Sequence, residues 1–235
     1  MSRDAMPSTP TEPARAPGAG ASFLRRHGKR IALLFIAVVL PLWGAGELAE
    51  DLGEGRGFAF DLPILQWLHA HQSPLLDQLA LLSSRLGFQY GVIPLDIVLV
   101  AALWWRQRRR DARFAAVAFV GSALINVVAK HYYGRARPSL WESLMPETTF
   151  SFPSGHAMAS MTLAATLVAL AWPTRWRWLV AAIAGIFVVA VGTSRAYLGV
   201  HYPSDILAGW GAALAWVTGL YAVMGRARPA QPLGK

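Results

Sequence analysis

Cysteine is absent from this chain of 235 residues, which excludes disulfides, thiolate chemistry and metal sites built on Cys ligands. Charged residues are also scarce: they make up 15% of the sequence against 54% hydrophobic residues, a balance too apolar for an ordinary soluble domain. The sequence has no Walker-type phosphate loop and no dinucleotide-binding fingerprint. Nucleotide use is therefore not indicated, and any catalysis must rely on histidine, carboxylate and hydroxyl groups.

The hydrophobic residues are concentrated in long runs, and a helix that crosses a bilayer needs about 20 mostly apolar residues. Six runs approach this length, and they cover residues 31–46, 86–105, 114–129, 157–172, 178–193 and 206–224. Shorter apolar patches within 62–82 are broken by polar residues and favour helices that lie along the membrane surface. The sequence therefore predicts an all-α fold, a polytopic membrane helical bundle of about six transmembrane helices with short interfacial helices.

The two ends of the chain differ in composition from its middle. Residues 1–22 are rich in Pro, Ala, Gly and Ser, which is typical of a disordered tail. We expect one six-span membrane domain over residues 23–226 and a short cytoplasmic tail over residues 227–235.

The net charge of +9 raises the question of nucleic acid binding, but the basic residues lie between the apolar runs and are not interleaved with stacking aromatic side chains. Most Lys and Arg residues fall in alternate segments, around 25–30, 106–113, 175–177 and 226–235. Under the positive-inside rule these segments are cytoplasmic, which places residues 131–156 and 194–205 on the opposite face. We expect a multi-pass protein of the bacterial inner membrane, with its active site towards the periplasm and no nucleic acid partner.

Three cations stand at the ends of apolar runs: Lys130, Arg137 and Arg195. A permanent charge there is costly unless it faces water, lipid phosphate or a bound anion. For each residue alone, a side chain that reaches to the membrane surface is the simpler explanation. All three, however, fall on the predicted outward face, which is otherwise poor in basic residues. This pattern favours a shared phosphate, to which Arg offers a fork of donors and Lys a point charge.

His201 and Asp205 are four residues apart, and Pro203 and Ser204 between them are suited to begin a helix. The carboxylate can then reach one imidazole nitrogen and fix the tautomer, which leaves the other nitrogen free to attack phosphorus. A His–Asp pair at this spacing is also common on protein surfaces. Its position in a short loop opposite the loop of His156 favours the catalytic interpretation.

The tetrapeptide Pro153-Ser154-Gly155-His156 precedes the fourth apolar run. Ser154 is a good N-cap, Gly155 lets a ligand approach the backbone, and a helix N-terminus attracts anions. The Ser154 and Gly155 amides would hold phosphate oxygens while His156 gives a proton to the leaving oxygen. As an isolated tetrapeptide, the motif also fits an ordinary helix start.

The motifs occur together and in order: Lys130 through Arg137-Pro138, then Pro153-Ser154-Gly155-His156, then Ser194-Arg195 through His201 to Asp205. Together they resemble the three-part signature of the type-2 phosphatidic acid phosphatase superfamily. The resemblance implies that His201 is the nucleophile of a phosphohistidine intermediate, that Asp205 orients it and that His156 is the general acid. It implies that phosphate is bound by Lys130, Arg137, Ser154, Gly155 and Arg195. No metal and no other cofactor is expected.

The resemblance favours a metal-independent lipid phosphate phosphatase whose partner is a membrane lipid phosphate. Undecaprenyl diphosphate, converted to undecaprenyl phosphate, is the first substrate candidate, and phosphatidylglycerophosphate, phosphatidate and a lipid A phosphate are the alternatives. Two other classes stay open. A vanadium-dependent haloperoxidase has a similar anion pocket, although those relatives are soluble. A non-enzymatic lipid-binding or transport protein is expected to lack the nucleophile or the acid.

Overall fold

Residues 43–44, 46–47 and 58–224 are described by a computed structural model of the chain, and the structural statements below refer to them. From residue 58 onward they form the helices α1 (Asp61–Ala70), α2 (Pro74–Leu86), α3 (Val92–Trp105), α4 (Arg109–Tyr133), α5 (Gly155–Ala171), α6 (Arg177–Tyr197) and α7 (Pro203–Met224). None of the described residues forms a β-strand, and the predicted all-α class is confirmed. The predictions for residues 1–22 and 227–235, and nearly all of the predicted run 31–46, lie outside the described residues.

Three helices, α4, α6 and α7, are long and apolar enough to cross a membrane, while α3 and α5 are apolar but shorter, with 14 and 17 residues. The predicted run 86–105 is divided in the structure, because α2 ends at Leu86 and α3 begins only at Val92. A Cβ at Gly91 would lie 2.1 Å from the Leu86 carbonyl oxygen, so the intervening turn requires glycine. The count of six spans stays a prediction.

The helix that positions the site is α5, which makes the most extensive contacts of the fold, with α6 and α7. Its buried face begins with Ala157 and Met158, whose small or flexible side chains let neighbouring helices approach closely. The approach of α7 is closest at Gly209, where a Cβ would lie 2.9 Å from the Ser154 carbonyl oxygen and 3.3 Å from the Met158 amide. The N-terminal turn of α5 is therefore held directly against the first two turns of α7.

The predicted interfacial region 62–82 corresponds to α1 and α2, and both helices expose large apolar side chains such as Trp67 and Leu75. Their opposite faces are buried. Leu65 packs with residues of α5, α6 and α7, and Ala80 packs against Tyr197 at the end of α6. The two helices therefore also form a wall of the bundle, a role that the sequence did not indicate.

Candidate active site

The residues singled out in the sequence gather at one end of the bundle, because consecutive long helices run in opposite directions. Lys130 lies in the last turn of α4, His156 in the first turn of α5, Arg195 in the last turn of α6 and Asp205 in the first turn of α7. A cavity of about 390 Å³ opens at this end. Its lining includes Ser84, Asn126, Lys130, Glu147, Gly155, His156 and His201.

His201 and Asp205 form a buried pair. His201 Nδ1 lies 3.3 Å from Asp205 Oδ2, and the two side chains are 1% and 0% exposed. On the other side of the ring, NH1 of Arg137 lies 3.0 Å from Nε2. A guanidinium can only donate, so Nε2 is the acceptor of this hydrogen bond and Nδ1 carries the proton towards Asp205. Nε2, which faces away from the carboxylate, therefore carries no proton, and its electron pair accepts the hydrogen bond from Arg137.

The buried position of His201 also sets its charge. Burial lowers the pKa of His201 to about 4, against the opposing effect of the Asp205 carboxylate, which raises it. The imidazole is therefore neutral at physiological pH. A neutral imidazole with its proton fixed on Nδ1 is the form that a nucleophilic role at Nε2 requires.

The three predicted phosphate-binding cations also lie at this end of the bundle. Arg195 is 0% exposed and donates from NH1 to the Ser84 hydroxyl, while its Nε has no partner among the described residues. Arg137 donates from Nε to the Thr149 carbonyl at 2.6 Å. Lys130 donates to the Phe150 carbonyl and lines the cavity. Arg195 thus keeps a free donor for an anion, whereas every N–H of Arg137 has an acceptor, so Arg137 must exchange one of these hydrogen bonds to hold an anion.

A carboxylate that the sequence analysis missed connects these groups. Glu147 Oε2 accepts from Arg137 NH2 at 2.7 Å, Oε1 accepts from Arg195 NH2, and Oε1 lies 3.8 Å from His156 Nδ1. Burial alone would raise the pKa of Glu147, but the two guanidinium groups outweigh it and hold the pKa below its usual value. The acid is therefore ionised. It stands in an irregular loop without a recognisable motif, so its spacing from the other site residues gave no signal.

Ser154 departs from the expectation on one point. Its hydroxyl caps α5 by accepting from the Ala157 amide, as an N-cap should, but its own amide donates to the Asp205 carbonyl at 3.0 Å. That amide is thus already used and does not face a ligand. Among the described residues, the amides of Gly155 and His156 have no acceptor, and these two are the free donors of the helix N-terminus.

A second group that the sequence analysis missed is Arg135, which is held between two buried carboxylates. Its NH1 donates to Asp205 Oδ1 at 2.5 Å and its NH2 donates to Asp61 Oδ2 at 2.9 Å. Asp61, which is 2% exposed, also accepts from the amide and the hydroxyl of Ser204, at 2.9 and 2.6 Å. Asp205 thus uses one oxygen towards Arg135 and the other towards His201.

The described residues contain no group of three or more His, Cys, Asp and Glu side chains that could hold a metal ion. The charged groups at the cavity are instead arranged as cations around one carboxylate. This arrangement can neutralise an anion with protein side chains alone.

Comparison with known proteins places these features in a family. The sequence profile of the PAP2 superfamily matches residues 111–229, which include all three motifs. The phosphatidylglycerophosphatase B of Bacillus subtilis strain 168 is 33% identical over 144 residues, which cover 59% of this chain and 70% of that protein. An undecaprenyl-diphosphatase of Sulfolobus acidocaldarius is 29% identical over 183 residues, which cover 76% of this chain and 82% of that protein.

The fold agrees with the sequence matches. The crystal structure of a transmembrane PAP2-type phosphatidylglycerolphosphate phosphatase from Bacillus subtilis is similar, with a TM-score of 0.71 and 27% sequence identity, covering 82% of this chain and 100% of that chain. The resemblance found in the motifs is thereby confirmed, and this chain belongs to the PAP2 superfamily.

Proposed function

We propose that this protein is a metal-independent lipid phosphatase that hydrolyses a phosphomonoester or diphosphate through a phosphohistidine on His201. The observation that carries the proposal is a neutral, buried His201 that lines the cavity together with Lys130, while Arg137 and Arg195 lie behind Glu147 in its wall. Arg195 adds a buried Nε with no partner among the described residues, and such a donor calls for an acceptor. A phosphate oxygen would supply one.

In the first half of the reaction, Nε2 of His201 attacks phosphorus, and the bond from phosphorus to the lipid oxygen breaks. Arg137 must give up its hydrogen bond to Nε2 and turn to a phosphate oxygen, which draws the substrate towards the nucleophile. His156, at the rim of the cavity, gives its proton to the leaving lipid oxygen. Burial and the nearby Arg195 lower the pKa of His156 to about 3, so its imidazole takes up this proton only when the negatively charged phosphate is bound beside it. Asp205 holds the imidazole in place and stabilises the positive charge that develops on it.

In the second half, water attacks the phosphohistidine and the bond between phosphorus and Nε2 breaks. His156, now without its proton, accepts one from this water, so the enzyme returns to its starting state and releases inorganic phosphate. Lys130, Arg137, Arg195 and the amides of Gly155 and His156 would hold the phosphoryl oxygens through both steps. We assign Ser154 the part of capping the helix that presents these amides.

Undecaprenyl diphosphate is the substrate that we propose first, because one of the relatives is named an undecaprenyl-diphosphatase and the match covers most of both chains. Phosphatidylglycerophosphate is the nearest alternative, on the name of the Bacillus relative. The groups at the cavity recognise phosphate and not its lipid, so the choice rests on these names. We further propose that the protein lies in the bacterial inner membrane with the cavity towards the periplasm.

The test is phosphate release by the purified protein in detergent micelles, with EDTA present, from undecaprenyl diphosphate, phosphatidylglycerophosphate, phosphatidate and a lipid A phosphate. We expect release from at least one of them and none by the His201→Ala variant. His71→Ala is the matched control, since His71 is exposed and contacts Trp67 of the adjoining helix α1, away from the cavity. Absence of release from all four substrates would refute the proposal, and a need for added Mg²⁺ or Zn²⁺ would refute metal independence.

A further inference from the structure

Glu147 lies where the phosphate proposed above would bind. Its two carboxylate oxygens accept from Arg137 and Arg195, and one of them faces His156. Arg137 and Arg195 are two of the groups proposed to hold the phosphate, and His156 is the group proposed to protonate the leaving oxygen. A carboxylate therefore already presents two oxygens to the donors that would hold two oxygens of a phosphoryl group.

The position of Glu147 relative to the cavity supports this interpretation. Glu147 lines the cavity, whereas Arg137 and Arg195 are not among the described residues that line it. The carboxylate thus separates the open space from both guanidinium groups. Its side chain is 22% exposed, compared with 11% for Arg137 and 0% for Arg195, so Glu147 is the outermost of the three.

The surroundings of Glu147 allow it to move. It belongs to residues 134–154, which connect α4 and α5 without forming a helix, so the side chain can turn away without displacing a helix. Arg195, by contrast, is fixed in the last turn of α6 and bonded to Ser84. When an anion enters, we expect the carboxylate on the loop to be the partner that leaves and the buried arginine on the helix to be the one that stays.

We propose that Glu147 is a specificity-determining residue, which occupies Arg137 and Arg195 until a phosphate with two negative charges replaces it. This inference rests on the proposed function. Replacement of a carboxylate by a dianion increases the attraction to the two cations, whereas replacement by a monoanion brings no gain in charge. The phosphate of a monoester carries close to two charges at neutral pH, while a phosphodiester carries one. Glu147 therefore makes the site reject the phosphodiester head groups of ordinary bilayer lipids.

The test compares the wild type with Glu147→Gln, which keeps the shape of the side chain but removes its charge. We expect inorganic phosphate to bind roughly tenfold more tightly to the variant, as measured by calorimetry in detergent micelles, because no carboxylate has to be displaced. We also expect phosphatidylglycerol, a phosphodiester, to compete with phosphate in the variant and not in the wild type. Glu142→Gln is the matched control, because Glu142 lies in the same connection but is exposed.

Calorimetry measures binding without hydrolysis, so it tests the role of Glu147 independently of the proposed phosphatase activity. If Glu147→Gln binds phosphate no more tightly than the wild type, or if Glu142→Gln gains as much, Glu147 does not occupy the phosphate position. Equal competition by phosphatidylglycerol in wild type and variant would refute the selection against phosphodiesters. If the binding results are as expected but no lipid phosphate is hydrolysed, the anion exchange at Glu147 stands and the proposed function fails.

Discussion

At the scale of single residues, the buried guanidinium of Arg135 links the proposed catalytic pair, His201 and Asp205, to a part of the chain that lies outside the family match. Arg135 bonds to Asp205 on one side and to Asp61 of α1 on the other. A guanidinium that donates to two carboxylates is held in place by both. The orientation of Asp205, and hence of His201, therefore depends on Asp61, more than 140 positions earlier.

We predict that Asp61→Asn lowers kcat by about tenfold or more, with a smaller change in KM. Without the charge of Asp61, Arg135 interacts more strongly with Asp205, and that carboxylate holds His201 less well. Asp77→Asn is the control: Asp77 also accepts a hydrogen bond, from the Tyr197 hydroxyl at 2.6 Å, but has no contact with Asp205. Equal losses in the two variants, or a change confined to thermal stability, would show that Asp61 does not position the catalytic pair.

The second prediction at this scale concerns pH. Under the proposed mechanism only neutral His201 attacks, and its pKa is lowered to about 4 by burial, with Asp205 opposing the shift. The neutral fraction of His201 is thus complete at neutral pH and falls as the pH drops through about 4, so the acidic limb of kcat at saturating substrate should lie near that value, whereas kcat/KM falls earlier, as the phosphate loses its second charge at a pH of about 6. An acidic limb of kcat near 6.5, the ordinary histidine value, would contradict this assignment.

The variant Asp205→Asn tests whether His201 is the group whose protonation causes the acidic limb. Removal of the carboxylate takes away the group that raises the pKa of His201, so the acidic limb should move to lower pH while kcat falls on the order of 10³-fold. Ionisation of the substrate is the same for both proteins and cannot cause such a shift. The measurement is kcat at saturating substrate across the acidic range for wild type and variant, and an unmoved limb would assign it to another group.

At the scale of helices, the close contact between α5 and α7 positions the free amides of the proposed phosphate site. The first turn of α5 carries the amides of Gly155 and His156, and Gly209 of α7 lies directly against it. A Cβ at Gly209 would lie 2.9 Å from the Ser154 carbonyl oxygen, closer than packed atoms allow. Any side chain there must push the two helices apart or shift the first turn of α5.

We therefore predict that Gly209→Ala destabilises the protein by about 1–3 kcal/mol and reduces kcat/KM, because the free amides move away from the phosphate. Gly219→Ala is the control on the same helix, since nothing lies within 4 Å of a Cβ at that position. Thermal unfolding and phosphate release by the two variants give the comparison. Full activity and stability of Gly209→Ala would show that the contact tolerates a methyl group.

The helices could be predicted from the sequence more fully than the contacts between them. The run 206–224 corresponds to α7, because its apolar residues are continuous and Pro203 begins the helix. The run 86–105 was wrong at its start, since the apolar residues Leu86 and Val92 were joined across Gly87-Phe88-Gln89-Tyr90-Gly91, which forms a turn that requires Gly91. Asp61 and Glu147 could not be identified as site residues, because their partners are distant in sequence and meet them only once the bundle has formed.

At the scale of the whole molecule, the exposed apolar side chains show which surface meets lipid. Large hydrophobic residues on several helices point outward, among them Ile97 on α3, Val128 on α4 and Ile186 on α6, with 65%, 68% and 71% of their surface exposed. In water such surfaces would be costly, whereas a bilayer solvates them. The charged cavity lies at one end of these helices, where the head group of a lipid in the same bilayer is within reach.

The orientation of this end is the last prediction. Basic segments around 106–113 and 175–177 lie at the opposite ends of the helices from the cavity, so the positive-inside rule places the cavity outside. The chain has no cysteine, which allows single-cysteine labelling in an otherwise unchanged protein. Thr148→Cys and Arg175→Cys provide a matched pair, since both positions are exposed and lie in connections at opposite ends of the helices.

In spheroplasts treated with a membrane-impermeant maleimide, Thr148→Cys should be labelled at once, and Arg175→Cys only after the membrane is permeabilised. This result would mean that phosphate is released outside the cell membrane, while the dephosphorylated lipid stays in the outer leaflet, because the lipid chain remains in the bilayer. The reverse labelling pattern would place the cavity in the cytoplasm. The enzyme would then act on lipid phosphates of the inner leaflet, and the periplasmic location proposed above would be wrong.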